Sequence, residues 1–95
     1  MIRVHIEPDS VTLSGHAGAD PYGQDIVCAA VSVLTINLYN SIRTLTGDLV
    51  TASVTEDQTV IGWEHLSEAG RVLVDAFFLG ICSIAESYPE NVSIR

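Results

Sequence analysis

The chain has 95 residues, enough for one domain spanning 1–95, and its 47% hydrophobic share excludes an intrinsically disordered protein. Its formal net charge is −8, with Arg3, Arg43, Arg71 and Arg95 as the only fixed cationic side chains, which excludes a nucleic-acid binder because phosphates are held by clustered cations. The same balance disfavours an anionic membrane surface and favours a basic protein or peptide, whose encounter the field would accelerate.

Two cysteines, Cys28 and Cys82, make no disulfide framework. The opening MIRVHIEP alternates and is not a leader, and Ser, Asn and Thr break the apolar runs before the roughly 20 residues a bilayer span needs. These features predict a cytoplasmic protein with both thiols reduced. So high an apolar share in so small a chain predicts surface covered by a second copy, most simply as a C2 homodimer.

Residues 2–7 alternate, with Ile2, Val4 and Ile6 on one side and Arg3, His5 and Glu7 on the other, the pattern of a half-buried strand. Pro8, Asp9 and Ser10 make a turn, and residues 11–14 alternate again, so 1–16 reads as a hairpin. Gly15, Gly18 and Gly23, with Pro21 among them, predict a mobile loop over 15–24. Asp25 is expected to cap a long helix that Gly47 stops, apolar on nearly all faces and so buried against the sheet on one side and a partner on the other. Residues 49–55 and 59–63 form a second hairpin around Glu56, Asp57 and Gln58. Ser67 caps a second helix from Glu68 to Ser87, with Val72, Leu73, Ala76, Phe77, Leu79, Gly80 and Ile84 as its sheet-facing stripe, and Val92, Ser93 and Ile94 add a last strand. The fold class is therefore α+β: two helices on a mostly antiparallel sheet, in the order β-β-α-β-β-α-β.

The chemistry concentrates at the junction of the first hairpin and the first helix. Placed in the first helical turn, the Cys28 sulfur would sit where free amides and the macrodipole favour an anion, the condition under which a thiolate forms. His16, at the end of the preceding strand, is within reach as ion-pair partner and proton donor to a leaving amine. The first-turn amides, that of Cys28 included, would hold an oxyanion. Ser32 follows Cys28 by one turn on the same face. An extended peptide could also pair with a sheet edge near Ser14. Cys82 is read as core, His5 as solvated, and His65 as a loop or capping residue. His16, Asp25, Cys28 and His65 are metal-ligand types, but no tight ligand pair is present, so neither a metal nor another cofactor is expected.

Residues 14–34, SGHAGADPYGQDIVCAAVSVL, carry Gly15-His16-Ala17, then Gly23-Gln24-Asp25-Ile26-Val27-Cys28-Ala29, then Ser32. This run resembles the signature of the ribosomal-processing cysteine protease family, Prp, at every one of its chemical positions. The resemblance implies an α+β fold that dimerises and an enzyme that removes a short N-terminal extension from bacterial ribosomal protein bL27, an event of ribosome biogenesis. It implies Cys28 as nucleophile and His16 as base and acid, with Asp25 and Ser32 shaping the site and the Gly15–Gly23 loop moving to admit the peptide. The residues taken alone also allow a non-enzymatic dimeric binding module for a basic ribosomal partner, or a redox sensor built on Cys28.

Overall fold

The structure, a computed structural model, describes residues 1–15 and 26–95 in full and the backbone alone of residues 21–25. Its elements are β1 (Ile2–Glu7), β2 (Ser10–Ser14), α1 (Pro21–Leu45), β3 (Leu49–Val54), β4 (Gln58–Glu64), α2 (Glu68–Ser87) and β5 (Val92–Ile94). The expected order and class are both met.

The five strands form one sheet in the order β3-β4-β2-β1-β5, antiparallel throughout except for the parallel β1–β5 pair. The alternation in β1 sets the register: Val4 pairs with Leu13 and Ile2 with Val92, so the apolar sides of neighbouring strands share one face. Both helices cover that face. The core is Ile2, Val4, Val11, Leu13, Ile61 and Trp63 from the sheet, Val27, Val31, Leu38 and Ile42 from α1, Val74, Phe77 and Ile81 from α2, and Val92. Ile42 and Ile81 are fully buried. The opposite face of the sheet carries Arg3, His5 and Glu7, with Nε2 of His5 lying 2.6 Å from Oε1 of Glu7.

Four local expectations are corrected. First, α1 opens at Pro21, four residues before Asp25, so Asp25 is not its N-cap and Gly23 lies in its first turn rather than in a loop. Proline reads as loop punctuation in a sequence, yet at the first helical position its preset φ is favourable and its missing N–H is no loss. Second, Gly47 is not the left-handed stop, since Gly15 alone has a positive φ among the described glycines. Thr46 ends the helix instead: its hydroxyl donates to the Ile42 carbonyl at 2.6 Å and accepts from the Asp48 amide at 3.0 Å.

Third, Cys82 is exposed. The buried stripe of α2 is Gly70, Val74, Phe77 and Ile81, which leaves Val72 and Leu79 exposed and turns Cys82 away from the core. Fourth, Ile26–Leu45 is by length and hydropathy long and apolar enough to cross a membrane, contrary to the expectation from its polar interruptions. In this fold Val27, Val31, Leu38 and Ile42 of that segment build the core.

Candidate active site

The end of the sheet where β1 starts and β2 finishes is also where β3 turns into β4, because Ser14 pairs with both Arg3 and Gln58. The N-terminal half of α1 crosses above it. Between them lies a cleft of about 430 Å³. Its floor and walls are apolar: Ile2 and Leu13 from the sheet, Val31 and Ile36 from the helix, Val54 from the end of β3. Cys28, Ser32 and Thr35 line the helical side, and Ser14, Gly15 and Thr55–Thr59 the sheet side.

Cys28 is half-buried and packs against the core while its side chain borders the cleft. That is the exposure a nucleophile needs: anchored by packing, open to a substrate. Ser32, one turn further along, is exposed on the same wall, as the four-residue spacing predicts. Thr35 is buried, and its hydroxyl is spent on the Val31 carbonyl at 2.7 Å. Thr35 escaped sequence reading, because threonine inside an apolar helix looks like an interruption rather than a cleft wall.

Gly15 borders the cleft with φ +83°. A Cβ there would run into the Met1 carbonyl oxygen, so the start of β1 and the end of β2 approach too closely for any side chain. Gly15 thus fixes the direction in which the chain leaves β2, immediately before His16. His16 and Gly18 lie outside the described residues, as does the side chain of Asp25.

Three site expectations change. Cys28 follows Pro21 by seven residues, so its amide is not one of the free N–H groups of a helix start and is not an oxyanion donor of that kind. The dipole, whose influence decays within the first turn, does not single it out either. Nor do the described residues leave a sheet edge near Ser14: β2 sits between β1 and β4, and the outer described strands are β3 and β5. His65 does not line the cleft. It follows β4 at the opposite end of the sheet, beside the Ser10–Gly62 pair.

A two-layer α+β domain with a half-buried thiol on the wall of a peptide-sized, largely apolar cleft has the build of a thiol hydrolase. The family model for cysteine protease Prp matches residues 1–93, and the chain belongs to that family of cysteine proteases. The chain is 29% identical over 99 residues to the ribosomal processing cysteine protease Prp of Mycoplasma pneumoniae, covering 100% of this chain and 94% of that one. Among solved structures it is similar to SMU.848 from Streptococcus mutans, at 36% identity and a TM-score of 0.83, covering 99% of this chain and 90% of that one. The fold also matches the ribosomal processing protease Prp from S. aureus, whose structure holds a covalently linked product peptide. That likeness has a TM-score of 0.84 at 22% identity and covers 99% of this chain and 95% of that one. Membership of a cysteine protease family decides against the non-enzymatic binding module.

Proposed function

We propose that the chain is the cytoplasmic endopeptidase that trims the N-terminal extension of ribosomal protein bL27, with Cys28 as nucleophile and His16 as its proton partner. The carrying observation is the half-buried thiol of Cys28 on the cleft wall, facing the end of β2 from which the chain runs directly into His16. The Cys28 thiolate attacks the scissile carbonyl carbon, and the carbon–nitrogen bond breaks as the His16 imidazolium gives its proton to the leaving amine. His16 then takes a proton from water. The resulting hydroxide cleaves the thioester, restoring the thiolate–imidazolium pair and releasing the extension as a carboxylic acid that gives its proton to solvent. In this reading Ser32, on the same cleft wall as Cys28, bonds the thiol or the substrate, and Asp25 shapes the site. No cofactor or metal enters these steps.

The experiment is incubation of the wild type, Cys28→Ala and His16→Ala with N-terminally extended bL27, followed by intact mass. Wild type releases the extension and Cys28→Ala releases none. His16→Ala is slower by about 10²–10⁴-fold, the usual weight of a positioned proton donor. Cleavage by Cys28→Ala at the wild-type rate overturns the mechanism. A wild type inert on bL27 but active on another ribosomal protein overturns the substrate.

The protein acts as a homodimer in this proposal. Ile26 and Val33 on α1 and Val72 and Leu79 on α2 are each at least 60% exposed, and the seven-residue spacing within each pair makes a helical seam of the kind that meets a second copy.

A further inference from the structure

We infer that the β3–β4 turn is a charge filter, with Glu56 and Asp57 selecting peptides that carry a Lys or Arg beside the cleaved bond. This rests on the protease reading of the Cys28 cleft and adds to it a determinant of substrate choice.

Glu56 and Asp57 line the same cleft as Cys28, across from α1. None of the described residues lining that cleft is Lys, Arg or His, so among them a substrate meets two carboxylates and no cation. Neither carboxylate takes part in a hydrogen bond or ion pair within the described structure. The turn that carries them is held by its own bonds: the Thr55 hydroxyl accepts from the Asp57 amide at 3.2 Å and the Gln58 amide at 3.1 Å, and the Thr55 amide donates to the Gln58 carbonyl at 2.9 Å. The two carboxylates are therefore presented from a braced turn and unspent, at the rim of a cleft that is otherwise apolar. Apolar walls suit an uncharged stretch of peptide, and the acidic rim suits a cationic side chain adjoining it. Exposed charges act at a distance through the field they set up, which raises both encounter rate and selectivity.

The probes are a peptide spanning the junction of the bL27 extension and the mature protein, and its twin with every Lys and Arg replaced by Gln. Affinity is measured on Cys28→Ala, which keeps the peptide whole, with and without E56Q/D57N. Circular dichroism of the E56Q/D57N protein guards against a folding defect, which its exposed turn position does not invite. The basic peptide binds Cys28→Ala tighter than its twin by about three- to tenfold at low salt, a margin that shrinks at high salt because exposed charges are screened. E56Q/D57N abolishes the margin and leaves the affinity of the twin unchanged. Equal affinities for the two peptides, a margin that survives E56Q/D57N, or binding of neither peptide overturns the inference. Cleavage by the wild type is scored separately. If neither peptide is cut while the charge margin depends on Glu56 and Asp57, the bL27 reading falls and the filter stands. If both are cut with the same kcat/KM, the filter falls and the protease reading stands.

Discussion

Gly15 joins backbone geometry to the site more directly than any other described residue. Its φ of +83° lies in the region where an L side chain is penalised, and a Cβ would also collide with the Met1 carbonyl. Gly15→Ala should cost ~2 kcal/mol from the backbone alone, read as a lower urea midpoint. Activity should fall further than stability, because the exit direction from β2 governs where the next residue, His16, is delivered. His65 is the opposite case. It is an exposed non-glycine residue with φ 50°, far from the cleft. His65→Gly should raise stability by up to ~1 kcal/mol, the relief of that strain less the entropy glycine adds to the unfolded chain. Cleavage by His65→Gly should equal that of wild type, and a loss of activity there would mean the catalytic imidazole has been misassigned.

At the scale of elements, the start of α2 is tied to the chain that leaves α1. Oδ2 of Asp48 accepts from the Ser67 amide at 3.0 Å and its hydroxyl at 2.8 Å, and the Ser67 Oγ in turn accepts from the Gly70 amide at 3.1 Å. Gly70 leaves room for that carboxylate, which a Cβ would strike. Ser67→Ala should cost ~1 kcal/mol, as loss of an N-cap does. Asp48→Ala combined with Ser67→Ala should cost less than the two separately, since they share one network, and a double-mutant cycle by chemical denaturation checks this. Gly70→Ala would gain helix propensity worth ~1 kcal/mol on an isolated helix. Here it should destabilise, by displacing Asp48. The capping serine, both ends of α2 and the last strand were legible from the chain because each depends on neighbours within a few residues. The start of α1 was not. Pro21 and Gly23 carry the same letters in a loop as in a first turn, so no local signal separates the two.

For the whole molecule, the question is what covers the outer sides of the two helices. Two helices on one sheet bury one stripe each, which leaves Ile26, Val33, Val72 and Leu79 exposed on their outer sides. Val33→Glu and Leu79→Glu place charges on the exposed seams without touching the core. Each should shift the protein from dimer to monomer by light scattering after size exclusion, with circular dichroism unchanged. A monomeric wild type at micromolar concentration would remove the dimer from the proposal.

By itself the sequence determined the element order, the inward faces of the strands and the signature from Gly15 to Ser32, because alternation, caps and motif spacing are local properties. Tertiary structure alone decided that β2 lies inside the sheet, that Cys82 faces outward, that Cys28 sits two turns into its helix, and that the β3–β4 turn joins the cleft wall. Those outcomes depend on which strand lies beside which and on how each helix is rotated over the sheet. Both are set by contacts between residues far apart in the chain, which no short window of sequence contains.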